Sequence, residues 1–257
     1  MYIRDGHAEA DLAVLRDLIR SNPLGHLTTA IRSPNFPLLQ ISHVPFVLDD
    51  ADADGANVHG RLRGHLARQN PHSKAMIETL TEHPTPGNVL EEEVLVIFNA
   101  AAHHYITPKF YTETKPATGK VVPTWNYAAA QVYGKAKIYF DTKAEETSAF
   151  LGQQVRDLTD HAETNIMNYT GEGGRPSQWK VSDAPEKYVD LLKKAIIGIE
   201  ISIDRLEGKF KMSQEMPQGD RQGVADGLAT LPTDAAQWVS KTVQARSDAK
   251  EAQSRNK

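Results

Sequence analysis

Four isoleucines at alternate positions near the end of the chain constrain its fold most strongly. They are Ile197, Ile199, Ile201 and Ile203. Successive side chains of a strand point to opposite faces, so a period of two places all four on the same face. The pattern therefore predicts a late β-strand with one face against the core.

Five earlier segments are also predicted to be strands, because β-branched and aromatic residues are concentrated there between turn residues. They span residues 24–31, 38–48, 57–66, 94–98 and 127–140. Pro45 cannot donate a backbone hydrogen bond, so it predicts a bulge or a sheet edge within the second of these strands. Residues 81–92 are predicted to form a surface insertion.

Helix signals lie between and around the strands. Asp11 is expected to cap a first helix, and Asn70 before Pro71 is expected to cap a short one. Residues 142–145 have the pattern of a capping box, and a helix over 185–194 is predicted with Asp183 as its cap. Closely spaced strands with peripheral helices favour a mainly β fold, an antiparallel β-barrel, over a doubly wound parallel sheet.

The sequence contains no internal repeat and no clear linker, which favours one compact domain. This domain is predicted to span residues 1–230 and to include inserted and C-terminal helices. Residues 231–257 are largely polar and are expected to form a C-terminal extension that is partly helical or disordered.

Composition excludes several chemistries. The 257 residues include no Cys, so disulfides, thiolate catalysis and cysteine-ligated metals are ruled out. A net charge of −4 provides no general attraction for nucleic acid. No signal-peptide pattern and no apolar run long enough to span a bilayer are found, so a cytoplasmic protein without membrane association is expected.

The segment 68–74 combines a predicted helix start with two cations. Arg68 and Lys74 flank the free backbone amides that follow Asn70. Such a helix start favours an anion, and phosphate is the natural candidate. The alternative is that both cations are solvated surface residues.

A second candidate binding segment spans residues 121–127 and is predicted to be a loop that leads into a strand. Trp125 provides a flat apolar face, and Asn126 provides an amide that donates and accepts. Together they suit an aromatic ligand with polar edges. The alternative is that Trp125 only fills the core or an interface.

Metal binding is not predicted. The acidic turn at 49–55 lacks the closing glutamate of a calcium loop. The adjacent His103 and His104 have no recognised ligand spacing, so they are expected to line a pocket wall.

Short motifs along most of the chain carry a family resemblance. They are Met1-Tyr2-Ile3, His43-Val44-Pro45-Phe46, Gly64-His65-Leu66-Ala67-Arg68 with Asn70-Pro71, Tyr105-Ile106-Thr107-Pro108, Val122-Pro123-Thr124-Trp125-Asn126-Tyr127, Ser182-Asp183-Ala184-Pro185, Gly198-Ile199-Glu200-Ile201 and Lys209-Phe210-Lys211-Met212-Ser213-Gln214. In this order they resemble the PaiB family of FMN-binding proteins, often called negative transcriptional regulators. That family belongs with the split β-barrel flavoproteins related to pyridoxamine-phosphate oxidases.

The resemblance implies a split antiparallel β-barrel and a homodimer that shares two FMN sites at its interface. The cofactor-binding residues that it implies are Ser42, His43 and Val44 along the flavin ring, Arg68, Ser73 and Lys74 at the phosphate, and Trp125 and Asn126 at the flavin of the partner subunit. No catalytic residue is assigned. Groups that could move protons to a substrate are His65, His103, Tyr105 and Tyr111.

The function predicted first is that of an FMN-dependent oxidoreductase, or a redox-linked flavoprotein, that takes a small-molecule substrate. An alternative is a negative transcriptional regulator that uses FMN as a ligand. The net charge and the absence of a known DNA-binding pattern disfavour nucleic acid as a partner. A further alternative is a haem-binding or haem-degrading split-barrel protein.

Overall fold

The computed structural model describes residues 2–50 and 57–255. Its strands are β1 (Ala8–Glu9), β2 (Leu24–Ala30), β3 (Leu39–Pro45), β4 (Val47–Asp49), β5 (Arg61–Ala67), β6 (Val94–Asn99), β7 (His104–Ile106), β8 (Thr124–Tyr139) and β9 (Ile196–Lys211). Its α-helices are α1 (Leu12–Ser21), α2 (Pro71–Glu82), α3 (Thr114–Thr118), α4 (Glu145–His161), α5 (Glu186–Lys194), α6 (Gln218–Ala229) and α7 (Asp234–Arg255). From residue 51 onward, the acidic turn predicted at 49–55 lies outside the described residues.

The chain forms two compact units. Unit 1 comprises Met1–Leu18, Asn99–Ala130 and Glu207–Lys257, and unit 2 comprises Ile19–Phe98 and Gln131–Leu206. The long strands β8 and β9 contribute residues to both units. The division of the chain into a domain at 1–230 and an extension at 231–257 stays a prediction.

Unit 2 contains the main antiparallel sheet. Its strand order is β3-β2-β6-β8-β9-β5-β4, so β3 and β4 are the terminal strands of the order. The pairs β2–β3, β2–β6, β4–β5 and β5–β9 are all antiparallel. The predicted antiparallel β fold with peripheral helices is therefore confirmed.

The isoleucines of β9 lie in the core of unit 2, as their spacing predicts. Ile197, Ile199 and Ile201 are fully buried, and Ile203 is nearly so. Helix α4 packs on the same sheet: a Cβ added to Gly198 would lie 2.5 Å from the ring of Phe150. Glycine at this position lets the helix approach the strand closely.

Unit 1 contains two short strand pairs and the C-terminal helices. Strand β1 pairs with β9, and β7 pairs with β8. Helices α6 and α7 bury apolar side chains, namely Val224, Leu228, Val239 and Val243. The buried Arg221 of α6 donates hydrogen bonds to Ser247 Oγ at 2.9 Å and to Glu251 of α7.

Local predictions had mixed outcomes. The side chain of Asp11 accepts a hydrogen bond from Ala13 N at 2.8 Å, which confirms that it caps α1. The capping box predicted at 142–145 is wrong, because α4 begins without a side-chain cap. Asp141 instead accepts from Lys143 N at 2.9 Å and stabilises the turn before the helix. The cap predicted at Asp183 is also wrong: its carboxylate accepts from Lys180 N, one turn upstream.

None of the helices in the ranges 2–50 and 57–255 is long and apolar enough to cross a membrane.

Candidate functional site

The predicted cofactor-binding residues fall into both units. Ser42, His43, Val44, Arg68, Ser73 and Lys74 belong to unit 2, whereas Trp125 and Asn126 belong to unit 1. The structure brings residues together within each of these two sets.

The helix start in segment 68–74 forms as predicted. Helix α2 begins at Pro71, and the side chain of Asn70 accepts a hydrogen bond from His72 N at 2.9 Å. An N-terminal helix turn leaves backbone N–H groups available to a ligand and carries a partial positive charge. This end of α2 therefore has the electrostatics of an anion site.

Two side-chain donors in the same segment have no partner. Arg68 donates from Nη2 to the carbonyl of Phe140, but its Nε atom is buried without a hydrogen bond to any described residue. Ser73 is fully buried, and its Oγ atom also lacks a partner among the residues described. Unpaired buried donors are costly unless a ligand or a water satisfies them. Lys74 lies beside them and is exposed.

A buried histidine connects α2 to the strands. His72 is 2% exposed and bonds through Nδ1 to Ser42 Oγ at 2.9 Å and through Nε2 to Thr29 Oγ1 at 2.8 Å. Burial lowers the pKa of His72 to about 4, so the imidazole is neutral at neutral pH. Ser42 is thereby held by a neutral ring, which fixes the start of α2 against β3.

Sequence reasoning missed His72 and Thr29 as members of this network. Thr29 lies on β2 and His72 on α2, 43 positions apart. The only local signal was the position of His72 next to the Asn-Pro pair. Contacts between distant parts of the chain leave no periodic pattern that a single sequence could reveal.

Strand β3 presents its predicted flavin residues to alternate sides. Val44 is fully buried and Ser42 nearly so, whereas His43 between them is exposed. The ring of His43 contacts that of His26 on β2 edge to face, with centroids 4.5 Å apart. Among these three residues, His43 is therefore the one whose side chain is available to a ligand.

Trp125 lies on a strand and not in a loop, which corrects the interpretation of segment 121–127. Strand β8 begins at Thr124, and Trp125 pairs with Tyr105 of β7. The Trp125 side chain is 52% exposed, and its ring lies 5.4 Å from that of His103 and 6.2 Å from that of Tyr105. A cavity of about 340 Å³ is lined by Asn99, Ala100, His103, Trp125, Tyr127 and Ala128.

Asn126 faces the interior of unit 1. It is fully buried, and its Nδ2 atom donates to Ser213 Oγ at 3.0 Å. Its amide therefore holds β8 to the segment after β9. A contact between Asn126 and a flavin stays a prediction, while Trp125 has the exposure that such a contact requires.

The candidate proton-transfer groups are also divided between the units. Burial lowers the pKa of His65 in unit 2, and its Nδ1 atom is buried without a partner in the described part of the chain. In unit 1, burial, followed by Glu215 and Asp220, raises the pKa of Tyr111. A neutral His65 can accept a proton as a general base, and a protonated Tyr111 can donate one as a general acid.

No group of three or more His, Asp or Glu within the described ranges is placed to hold a metal.

FMN fits the donors that the segment 68–74 leaves unsatisfied. A phosphate group offers several acceptor oxygens, which suit Arg68 Nε, Ser73 Oγ and the amides of α2 together. Lys74 adds a flexible positive charge at the same place. The residues present are thus compatible with the phosphate of this cofactor.

The antiparallel sheet with its peripheral helices has the fold of split-barrel flavin-binding proteins. The chain belongs to the family described as "Putative FMN-binding domain", whose sequence model matches residues 1–205. Membership of a PaiB-like FMN-binding family, with FMN as its cofactor, is thereby confirmed.

Relatives extend along the whole chain. An uncharacterized protein of Aspergillus fumigatus is 58% identical over 98% of this chain and 99% of its own length. One from Emericella nidulans is 59% identical over the same shares of the two chains. The protease synthase and sporulation protein PAI 2 of Bacillus subtilis is 25% identical over 89% of each chain.

Among solved structures, the chain is similar to one described as "a putative 5-nitroimidazole antibiotic resistance protein" from Bacteroides thetaiotaomicron, with 11% identity and a TM-score of 0.46 over 79% of this chain and 85% of that one.

Proposed function

We propose that the protein is a homodimeric flavoprotein that binds FMN through segment 68–74 and uses it in oxidoreduction of a small molecule. FMN binding at this segment is inferred from two buried donors without a partner among the described residues, Arg68 Nε and Ser73 Oγ, which lie beside the capped start of α2. In a flavoprotein the bound flavin accepts and donates the electrons. The chain supplies binding, orientation and exclusion of water.

The phosphate would be held by Arg68, Ser73 and Lys74. The network of His72 with Ser42 and Thr29 keeps the start of α2 fixed relative to the sheet of unit 2. Such support matters because a binding group that shifts by about 1 Å loses much of its effect.

The flavin ring would lie along β3, next to the exposed His43, and Trp125 of the partner subunit would complete its environment. Strand β3 supports the homodimer, because it is a terminal strand with exposed apolar side chains. Leu39 is 67% exposed and Ile41 is 60% exposed. Exposed apolar side chains on an edge strand mark an association surface.

The experiment that tests FMN binding compares FMN with riboflavin, which lacks the phosphate. The Arg68→Gln variant should bind FMN about 10- to 100-fold more weakly, because a charge-assisted hydrogen bond contributes about 1.5–3 kcal/mol. Its affinity for riboflavin should stay that of the wild type. Both affinities are measured by quenching of flavin fluorescence.

Arg175→Gln is the matched control, since Arg175 is an exposed arginine of the same unit. It should leave both affinities unchanged. A wild-type protein that is purified without colour and takes up no added FMN would refute the proposal. Equal losses of FMN and riboflavin affinity in Arg68→Gln would place the phosphate elsewhere.

Transcriptional regulation and haem binding stay predictions. Neither is supported by a contact or a cavity that would favour it over flavin chemistry in the described residues.

A further inference from the structure

Unit 1 contains a second pocket that none of the predicted FMN-binding residues line. Its volume is about 470 Å³. It is lined by Tyr2, Arg4, His7, Tyr111, Lys120, Val121, Val122, Thr124, Lys209, Lys211, Glu215 and Met216, and we call it the cationic pocket.

Positive charge dominates this pocket. Arg4, Lys120, Lys209 and Lys211 contribute four cations, whereas Glu215 is the one carboxylate among the lining residues. Glu215 is already engaged, because its Oε2 atom lies 2.8 Å from Nε2 of the buried His7. None of the four cations forms a salt bridge with a carboxylate of the described residues. The cationic pocket therefore keeps a net positive charge.

Neutral groups hold the two lysines of β9 in place. Lys211 Nζ donates to Thr124 Oγ1 and, at 2.9 Å, to the carbonyl of Trp125. Lys209 Nζ donates to the carbonyl of Tyr2 at 3.1 Å. Carbonyl and hydroxyl oxygens orient the ammonium groups but do not neutralise them. Burial, followed by the neighbouring Lys209 and Arg4, lowers the pKa of Lys211, while Glu215 opposes this shift.

An anion would relieve the repulsion among these cations. Lysine binds phosphate as a point charge, and several converging cations favour a dianion over a monoanion. The wall of the pocket also includes apolar and aromatic side chains, namely Tyr111, which is 4% exposed, Val121, Val122 and Met216. An organic group attached to the anion would contact this wall.

We propose that the cationic pocket is a binding site for a small organic phosphate, with the phosphate at Lys209 and Lys211 and the organic group against Tyr111. Arg4 and Lys120 are exposed and would close on the phosphate from the surface. This site rests on unit 1 alone and does not depend on the FMN site of unit 2.

The test uses the full-length protein saturated with FMN and titrates phenyl phosphate by calorimetry. Phenyl phosphate should bind, and its affinity should fall as ionic strength rises. Phenol and benzoate serve as comparison ligands, because phenol lacks the anion and benzoate carries a single charge. Both should bind at least tenfold more weakly.

Variants locate the binding. Lys209→Met should weaken phenyl phosphate binding at least tenfold and leave the FMN content unchanged. Lys120→Met, at an exposed position where folding is not at risk, should weaken it several-fold. Lys241→Met is the matched control on the exposed face of α7 and should have no effect.

Three outcomes would overturn the site. One is a wild-type protein that does not bind phenyl phosphate, and another is equal affinity in wild type, Lys209→Met and Lys120→Met. The third is phenyl phosphate binding that occurs only after FMN is removed and is reversed when FMN is added back. The cationic pocket would then be part of the flavin site. Benzoate binding as tight as that of phenyl phosphate would refute the choice of phosphate.

Discussion

At the scale of single residues, His72 links folding to pH. The pKa of an unfolded histidine is 6.5, and burial lowers that of His72 to about 4. Between these values the unfolded state binds a proton that the folded state excludes, so stability falls as the pH drops from about 6.5 to about 4. His72 belongs to segment 68–74, so this pH sensitivity lies within the proposed phosphate site, where His72 bonds to Ser42 and Thr29.

We expect the free energy of unfolding to fall by up to about 3 kcal/mol across that pH range because of His72, since each pKa unit corresponds to about 1.4 kcal/mol. The His72→Gln variant should be less stable than the wild type at pH 7, because hydrogen bonds are lost, but its stability should depend less on pH. Urea unfolding at several pH values between 4 and 7 measures both effects. His83→Gln, at the exposed end of the same helix, should keep the wild-type slope. Identical slopes in His72→Gln and wild type would contradict the assignment.

Trp125 is the residue whose proposed role depends most on the proposed homodimer. Because its side chain is half exposed in the single chain, Trp125→Ala should change the stability of the monomer little. It should weaken FMN retention or dimerisation roughly tenfold, since losing an aromatic contact at an interface costs about 1.5 kcal/mol. Flavin fluorescence and light scattering measure the two properties.

Trp179→Ala is the control for this change, since Trp179 is 48% exposed in unit 2. If Trp125→Ala retains flavin and dimer at wild-type levels, Trp125 serves only packing against His103 and Tyr105.

At the scale of elements, β3 is the strand whose surface is least explained by a single chain. Its inward residues are buried, yet Leu39 and Ile41 point outward with most of their surface exposed. Adding a charge at the centre of this face should block association without disturbing the core.

Ile41→Lys should therefore weaken the proposed dimer by at least tenfold, while its unfolding at low protein concentration stays within about 0.5 kcal/mol of the wild type. Sedimentation equilibrium measures the dimer, and urea unfolding measures the monomer. Leu191→Lys makes the same change on α5, where the side chain is 65% exposed. A dimer that survives Ile41→Lys and dissociates in Leu191→Lys would move the interface to α5.

Local elements were predictable where a few adjacent residues determine them. Asn70 with Pro71 predicted the start of α2, and the four isoleucines predicted the buried face of β9. The capping box at 142–145 failed because Asp141, one position upstream, bonds the turn instead. The helix begins only at Glu145, with Ala144 as its N-cap, so Thr142 lies in the turn before the helix and not at its start.

At the scale of the whole molecule, the net charge determines how strongly the protein attracts nucleic acid. The net charge of −4 predicts that a random-sequence DNA duplex is not bound at about 150 mM salt. Fluorescence anisotropy of a labelled duplex at several salt concentrations measures this. Tight binding that persists at about 150 mM salt and prefers particular genomic fragments would instead favour a transcriptional regulator.

Family, cofactor and fold class were predictable from short motifs in a fixed order, because such motifs preserve local backbone and ligand chemistry. The bonds that join distant segments were not. His72 with Ser42, Asn126 with Ser213 and Lys211 with Thr124 each join residues at least 30 positions apart. These contacts follow from the pairing of strands and helices, which a single sequence without homologues does not encode locally.

The buried guanidinium of Arg221 has a practical consequence for anyone who shortens the chain. The family match ends at residue 205, inside β9, which runs on to Lys211. A gene fragment cut there would remove the rest of β9, α6 and α7. A cut at 230 would keep Arg221 but delete Ser247 and Glu251, which accept its hydrogen bonds, and would leave a charge in the interior without a counterpart. The end of the family match is therefore not a folding boundary, and a fragment made for expression has to extend at least through Glu251.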